Sequence, residues 1–273
     1  MKHIADLHTH STASDGQYSP TELVGLAREA GIDILALTDH DTVDGVGEAV
    51  AAGQRLGIRV VPGIELSARE YNTFHILGYG VDTENPELAA LCEERRGRRD
   101  QRSLKIIRYL AEKGMSISLE EVEAAAGGLV IGRPHFARVM LDKGYISNFR
   151  HAFDHYLDTE EYHEYVGNAR PTAERCIRVL KGAGGKVSLA HPHQIGIDND
   201  ALDKQVRELK ELGLDAVECY YPRHSPEQTA FYLELAKKYG LHVTGGSDFH
   251  GERVKPDIRL ARLELEMEWL EAD

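Results

Sequence analysis

The sequence predicts an α/β protein, a barrel or an open parallel sheet with helices outside and a small helical insertion. Residues 1–80 and 170–250 alternate short apolar runs with helical patterns, which is typical of buried parallel strands joined by helices. Residues 85–165 show helical patterns and no convincing strand. Polar residues that can bind metal follow several of the predicted strands, and in barrels that end is where active sites form.

Apolar runs and turn or capping residues set the bounds of the predicted elements. Ser19 can cap the first helix, Pro20 suits its first turn, and Glu22 completes a capping box. Gly31 ends this helix. The predicted strands are residues 2–7, 32–37, 58–62, 73–79, 186–190, 216–220 and 241–244. The other predicted helices of the barrel are residues 43–56, 172–183, 200–212 and 226–239. The segment 260–270, which contains Trp269, is predicted to be an amphipathic tail that packs on the barrel.

Composition excludes several classes of protein. The 273 residues are 42% hydrophobic, enough to bury a core, and the net charge of −13 argues against a nucleic-acid coat or a membrane-surface protein. The sequence has no run of about 18 apolar residues and begins without a signal-peptide pattern. Three Cys without a CxxC pair exclude a disulfide scaffold and a thiolate zinc site. We therefore expect a soluble, cytoplasmic protein without a membrane partner or an evident obligate protein partner.

Charge is distributed unevenly along the chain. Residues 93–150 hold twelve Lys and Arg against eight Asp and Glu, a net charge of +4 that leaves −17 for the remainder. We assign residues 1–90 and 166–273 to the barrel. Residues 91–165 are assigned to a helical insertion that serves as a substrate-binding cap.

Six segments place His, Asp or Glu at the same end of successive predicted strands. His8 and His10 end the first strand two residues apart, a spacing that directs both rings to one face. Without a metal, the convergence of so many polar groups would carry a high desolvation cost. The nine candidate ligands are His8, His10, Asp15, His40, Glu65, His75, His191, Asp248 and His250.

Nine donors exceed the three or four that one ion uses, so the sequence predicts two or three ions with a bridging carboxylate. Imidazole and carboxylate donors without thiolate suit manganese, iron or zinc better than magnesium or calcium.

The ordered motifs resemble those of the PHP (polymerase and histidinol phosphatase) family. The matching stretches are Asp6–Ser11, Ser14–Gly16, Leu37–Thr42, Pro62–Glu65, Ala190–Pro192 and Ser247–His250. The resemblance implies a distorted seven-stranded (βα) barrel that holds three divalent ions, with manganese favoured and iron or zinc as alternatives.

The resemblance also implies how the ligands are shared, with Glu65 bridging two of the ions. The first ion would be held by His8, His10, Glu65 and Asp248. The second would be held by Asp15, His40 and His250. The third would be held by Glu65, His75 and His191.

The insertion is similar to that of the PHP branch that acts on nucleotides, which includes nucleoside 3′,5′-bisphosphate phosphatases and RNase AM. The closest stretches are residues 99–106 and 131–137. Arg133 and His135 are candidates for binding the substrate's distal phosphate, since Arg offers a bidentate fork. Arg102 and Lys105 lie three residues apart and could share one face of a helix.

We expect a metal-dependent phosphoesterase that removes the 3′-phosphate of a nucleoside 3′,5′-bisphosphate such as pAp. The expected mechanism is in-line attack by a metal-bridged hydroxide, with Asp15 and Glu65 among the catalytic residues. His193 is a candidate general acid, with binding of phosphate as its alternative role. Tyr220, Tyr221 and His224 are candidate pocket residues, with packing as their alternative role. The residues expected to orient ligand imidazoles are Asp6, Asp39 and Asp41.

Other functions stay open at this point. A 5′→3′ exonuclease that acts on short 5′-phosphorylated RNA or DNA would use the same site, so the expected substrate is a small nucleotide or a short oligonucleotide. A histidinol-phosphatase-like enzyme would not need the basic insertion. An amidohydrolase barrel also begins with HxH, but Asp15 and Glu65 as ligands and the lack of an evident bridging Lys count against it. A non-catalytic metal module would be expected to have lost some of the nine donors.

Overall fold

The computed structural model describes residues 2–127, 131–167 and 170–270. The chain divides into two compact units, Met1–Cys92 with Arg170–Asp273, and Glu93–Ala169. The first unit is an α/β barrel and the second is helical. The predicted domain bounds lie within four residues of this division, and the role of the insertion as a substrate-binding cap stays a prediction. No helix among the described residues combines the length and the apolar character needed to cross a membrane.

Eight strands form one sheet, in the order β7-β6-β5-β4-β3-β2-β1-β8. Their bounds are β1 (Lys2–Thr9), β2 (Ile34–Leu37), β3 (Arg59–Ser67), β4 (His75–Tyr79), β5 (Lys186–Leu189), β6 (Ala216–Tyr220), β7 (His242–Gly245) and β8 (Leu263–Glu266). The first three strands pair in parallel, as do β5, β6 and β7.

Residues that follow β7 nearly close the sheet against β1. The backbone N–H of Asp248 donates to the carbonyl of His8 at 2.8 Å, and the N–H of His10 donates to the carbonyl of Phe249 at 2.9 Å. The buried carboxylate of Asp6 braces this junction, because it accepts both the backbone N–H and the hydroxyl of Ser247, at 2.9 and 2.6 Å. The predicted barrel is therefore confirmed.

The prediction of seven strands is corrected to eight. The additional strand, β8, lies in the segment that was predicted to be an amphipathic tail, and it pairs antiparallel with β1. Its four residues alternate too briefly for the period of a strand to stand out from that of a helix. Trp269 packs as predicted, because it is buried and its ring meets that of Tyr79 edge to face at 6.3 Å.

Strand β4 departs from the predicted parallel arrangement, because it runs antiparallel to both β3 and β5. Its first residue, His75, pairs with Ser67, the last residue of β3. The reversal therefore brings the beginning of β4 to the end of the barrel where the neighbouring strands finish.

Five helices flank the strands of the barrel: α1 (Pro20–Glu29), α2 (Val46–Leu56), α8 (Ala173–Gly182), α9 (Asn199–Glu211) and α10 (Pro226–Tyr239). They confirm the predicted helices to within a few residues. The capping box of α1 is present, since Ser19 Oγ accepts the N–H of Glu22 at 3.3 Å and Glu22 accepts the N–H of Ser19 at 2.8 Å. The first of the two boundaries between the units falls within α3 (Pro86–Glu112).

The described part of the helical unit also holds α4 (Leu119–Ala126), α5 (Arg133–Asp142), α6 (Phe149–Ala152), a π-helical turn at Phe153–Leu157, and α7 (Glu160–Val166). The unit has a core of its own, built around Tyr109, Phe136 and Leu157. The prediction of a purely helical middle segment therefore holds for the residues described.

Candidate metal centre

All nine candidate ligands lie at one end of the barrel. His8 lies near the end of β1 and His10 directly follows that strand, His75 begins β4, and His191 is the second residue after β5. Residue Glu65 of β3 forms a parallel bridge with His40, which follows β2. The remaining ligands, Asp15, Asp248 and His250, lie in loops after β1 and β7.

Glu65 is the centre of the cluster, and its side chain is fully buried. Oε2 lies 3.2 Å from Nε2 of His8 and of His10 and 3.0 Å from Nδ1 of His40. Oε1 lies 2.8 Å from Nδ1 of His75 and 3.0 Å from Nε2 of His191. One carboxylate thus faces five imidazoles, a geometry that suits a bridging ligand.

The donor atoms fall into three groups, in each of which they lie within 4.8 Å of one another. One contains His8, His10, Glu65 and Asp248; another contains His10, Asp15, His40 and His250; the last contains His40, Glu65 and His75. Nε2 of His191 lies 3.3 Å from Nδ1 of His75, at the last group. The grouping differs from the implied sharing of ligands in two respects: His10 and His40 each belong to two groups, and His191 is not a member of any of the three. The assignment of ligands to ions therefore stays a prediction.

The site residues fit divalent cations. Nε2 of His8, both ring nitrogens of His10, and Nδ1 of His40 are buried and make no hydrogen bond. Buried polar atoms without a partner are costly and rare, and cations placed between the donors would satisfy them. Donors that are all imidazole or carboxylate suit borderline transition metals.

Mutual charge shifts the pKa values in the cluster. Burial opposes a charge on His40, yet the carboxylates of Glu65 and Asp15 outweigh it and raise the pKa of His40 to about 9. Burial likewise opposes a charge on Glu65, but the imidazoles of His40 and His8 hold its pKa well below the ordinary value. Protons on imidazoles thus balance the carboxylates, and a bound cation would take the place of those protons.

Sequence comparison identifies the family of this barrel. The profile of the PHP domain family matches residues 6–165. This chain belongs to the PHP domain family. The match covers more than half of the chain, so the resemblance inferred from the ordered motifs is confirmed.

Several known proteins resemble this PHP protein over nearly their whole length. A 3′,5′-nucleoside bisphosphate phosphatase from Chromobacterium violaceum is 32% identical over 90% of this chain and 86% of that protein. A 5′-3′ exoribonuclease from Haemophilus influenzae is 34% identical over 90% and 89%. A phosphoribosyl 1,2-cyclic phosphate 1,2-diphosphodiesterase from Eggerthella lenta is 35% identical over 91% and 95%. A crystal structure from Bifidobacterium adolescentis, described as a candidate metal-dependent phosphoesterase, superimposes with a TM-score of 0.81 at 29% identity and covers 98% of this chain and 94% of that one.

The PHP site holds two candidate ligands in the left-handed backbone region. His191 has φ +24° and Asp248 has φ +55°. For residues other than glycine this conformation costs on the order of 1–3 kcal/mol, and such strain concentrates at functional sites. The surrounding PHP barrel therefore holds these two donors in place against a local preference.

The expectation that Asp6 and Asp39 orient ligand imidazoles is wrong. Asp6 binds the Ser247 junction described above. Asp39 accepts the N–H and hydroxyl of Ser11, at 2.8 and 2.6 Å, and the hydroxyl of Ser14 at 2.5 Å. It thereby holds the loop that leads to Asp15. For Asp41 the structure shows that Oδ1 accepts the N–H of Ser67 at 3.1 Å.

Glu218 and Lys255 contact candidate ligands directly and were not predicted from the sequence. Glu218 of β6 is fully buried and contacts His8, and its one sequence signal is a charged residue inside an apolar strand. Lys255 donates to Oδ2 of Asp248 at 2.6 Å, and the hydroxyl of Tyr221 donates to the same oxygen at 2.9 Å. These contacts leave Oδ1 of Asp248 to face the other donors.

His193 and His224 lie together beside the PHP site, with ring centroids 4.9 Å apart. Burial, together with the rings of His224 and His191, lowers the pKa of His193 to about 4. The ring is therefore neutral at pH 7 in the metal-free protein. Nδ1 of His224 donates to the carbonyl of Cys219 at 2.9 Å. The roles of both rings stay predictions.

The candidate residues for the distal phosphate lie in the helical unit, and their roles stay predictions. Arg133 begins α5, and its Nη1 donates to the carbonyl of Leu157 at 3.1 Å and to Oδ1 of Asp158 at 2.5 Å. Nδ1 of His135 accepts the N–H of Gly132 at 2.9 Å. Both Arg102 and Lys105 lie on α3, and Nζ of Lys105 donates to the carbonyl of Val166 at 3.2 Å. A phosphate that binds Arg133 would compete with Asp158.

Proposed function

We propose that this PHP protein is a metal-dependent phosphoesterase that removes the 3′-phosphate of nucleoside 3′,5′-bisphosphates, converting pAp to AMP and phosphate. The observation that carries the proposal is the set of nine donors around Glu65, several with buried nitrogens that lack a hydrogen bond. The three relatives, whose names all denote cleavage of phosphoesters, support this class of reaction.

We propose further that the site takes three divalent ions, with manganese favoured over iron or zinc. When bound, such ions supply a nucleophile from water at neutral pH and neutralise charge on phosphoryl oxygens. The carboxylate of Glu65 would bridge two of them. Three carboxylate ligands leave the loaded centre with a net positive charge, which attracts a phosphate dianion despite the acidic chain.

Exposure of the ligand side chains indicates the direction from which the substrate enters. The side chains of Asp15, His40 and His75 are 33%, 21% and 15% exposed, whereas those of His8, His10 and Glu65 are closed to solvent. We infer that the phosphate reaches the centre along the exposed ligands.

The remaining candidates would orient the substrate. His193 and His224, at the margin of the centre, would hydrogen-bond to the phosphate or to the leaving sugar oxygen. The proposed ligands of the distal 5′-phosphate are Arg102, Lys105, Arg133 and His135. A clamp for a second phosphate would explain a preference for a bisphosphate over a nucleoside monophosphate.

A second candidate function is a 5′→3′ exonuclease that acts on short 5′-phosphorylated RNA or DNA. The similarity to the exoribonuclease from Haemophilus influenzae favours it. Release of a nucleotide from such an end breaks a 3′ phosphodiester beside a 5′-phosphorylated nucleotide, which is nearly the same reaction at the same site. The two activities can therefore coexist.

The test is phosphate or nucleotide release with Mn²⁺ from pAp, 3′-AMP, 5′-AMP, histidinol phosphate, phosphoribosyl 1,2-cyclic phosphate and a 5′-phosphorylated short RNA. We expect turnover of pAp far above that of 3′-AMP. Nucleotide release from the RNA with higher kcat/KM than pAp would make the exonuclease the main activity. No turnover of any compound by metal-loaded protein would refute the proposal. Glu65→Gln controls for contaminating phosphatases, while His3→Ala, at a half-buried histidine outside the cluster, is the matched control.

A further inference from the structure

Glu218 is a fully buried carboxylate with both oxygens engaged. Oε1 lies 3.0 Å from Nδ1 of His8. Oε2 accepts the backbone N–H of His191 at 2.7 Å. Both oxygens of Glu218 are thus occupied by contacts with two candidate ligands, His8 and His191.

The contact with His8 determines which ring nitrogen is free. An ionised carboxylate only accepts hydrogen bonds, so Nδ1 of His8 must carry a hydrogen. In a neutral imidazole the other nitrogen, Nε2, then has its lone pair available. That nitrogen is buried without a hydrogen bond and lies 3.2 Å from Oε2 of Glu65 and 3.7 Å from Oδ1 of Asp248. Glu218 thus aims a lone pair at the other donors.

The contact with His191 holds a strained segment. The backbone N–H that donates to Glu218 belongs to His191, whose φ is +24°. Nε2 of His191 lies 3.0 Å from Oε1 of Glu65. The rings of His8 and His191 stack with centroids 5.6 Å apart. The carboxylate of Glu218 therefore aligns both the ring of His8 and the backbone of His191. These two residues are proposed to bind different ions.

We propose that Glu218 is a positioning residue that fixes His8 with its hydrogen on Nδ1, holds His191, and thereby sets the affinity of the centre for divalent metal. The proposal rests on the proposed function only in that the centre binds metal, and not on the reaction. Partners of this kind that hydrogen-bond to a ligand typically contribute 10–100-fold to metal affinity.

The test is Glu218→Gln, which keeps the size of the side chain but replaces one acceptor by an NH₂ donor. If the NH₂ faces His8, the ring must accept at Nδ1 and carry its hydrogen on Nε2, where a metal could no longer bind. If it faces His191, the strained amide loses its acceptor. We expect the affinity for Zn²⁺, measured by competition with a chromophoric chelator, to fall about 10–100-fold. An unchanged affinity would overturn the proposal.

The long-range ¹H–¹⁵N spectrum of the zinc-loaded wild-type protein, with the His8 signals assigned through His8→Ala, gives a readout that does not depend on the folding of the Gln variant. We expect a hydrogen on Nδ1 of His8. A hydrogen on Nε2 overturns the proposal. Glu218→Asp, which keeps the carboxylate, should retain the Nδ1 hydrogen and restore part of the affinity.

Thr244→Val is the matched control, because it removes a buried hydroxyl of the barrel that lies 3.0 Å from Ser188 Oγ. We expect its zinc affinity to stay at the wild-type value, and an equal loss in both variants would reduce Glu218 to a general packing role. The proposed function is tested separately. If the protein binds zinc with the expected His8 tautomer but hydrolyses no phosphoester, the role of Glu218 stands and the phosphoesterase proposal is refuted.

Discussion

Replacement of Gly246 by Ala tests how the closure of the barrel positions the metal centre. Gly246 follows β7 and its N–H donates to the carbonyl of Tyr220 at 3.0 Å. A Cβ at this position would lie 2.3 Å from Cβ of His8 and 2.5 Å from its backbone nitrogen. Ordinary carbon contacts are about 3.5–4.0 Å, so the segment after β7 and β1 must separate by about 1.2 Å or more.

The cost follows from what that separation disrupts. Overpacking against backbone costs typically about 1–3 kcal/mol. The hydrogen bond from the N–H of Asp248 to the carbonyl of His8 lies next to the clash, and its loss adds on the order of 1 kcal/mol. We therefore expect metal-free Gly246→Ala to be less stable than the wild type by about 2–4 kcal/mol. Because the shift also moves the ring of His8, metal affinity should fall at least about tenfold.

The assay is urea unfolding of chelator-treated protein, followed by circular dichroism, together with chelator competition for Zn²⁺. Gly25→Ala is the matched control, because Gly25 lies inside α1 and a Cβ there meets nothing within 4 Å. The control should be more stable than the wild type by roughly 0.5–1 kcal/mol. If Gly246→Ala has the same stability and metal affinity as the wild type while Gly25→Ala behaves as expected, the reasoning is refuted.

Three further predictions concern the charges and hydrogen bonds of the two units. The raised pKa of His40, about 9 against 6.5, stabilises the metal-free protein below pH 6.5 by up to about 3 kcal/mol, and this is lost as the pH rises through 9. Urea unfolding of chelator-treated protein from pH 6.5 to 9.5 checks this, and a flat profile would contradict it. Arg133→Ala should raise the KM for pAp at least about tenfold with little effect on 3′-AMP, while equal effects on both substrates would exclude the distal-phosphate role. Asp39→Asn weakens the hydrogen bonds that hold the loop of Asp15, so metal stoichiometry measured by elemental analysis should fall, and full loading would show that the loop is held in another way.

The sequence by itself determined the family, the class of fold and the candidate ligands. Residues at the ends of parallel strands meet at one edge of a barrel, so the position of His8 or Asp248 after an apolar run is enough to predict where the side chain lies. The beginning of the first helix could also be predicted from neighbouring residues, because its cap is formed by Ser19, Pro20 and Glu22, which lie within four residues of the chain. Signals of this kind depend only on neighbours in the chain.

Only the tertiary structure decided the direction of β4, the eighth strand, and the partners of the ligands. Strand β4 is antiparallel to β3, which precedes it directly in the chain, and also to β5, which lies beyond the helical unit. Strand β8 returns to β1 from the far end of the sequence. The pairings with β5 and with β1 therefore depend on contacts between distant segments. Glu218 is 210 residues from His8 in the chain. A buried carboxylate can bind an imidazole, a backbone amide or a hydroxyl equally well. Asp6 and Glu218 look alike in the sequence, and they differ in role because the fold presents Ser247 and the backbone of His8 to Asp6 but the imidazole of His8 to Glu218.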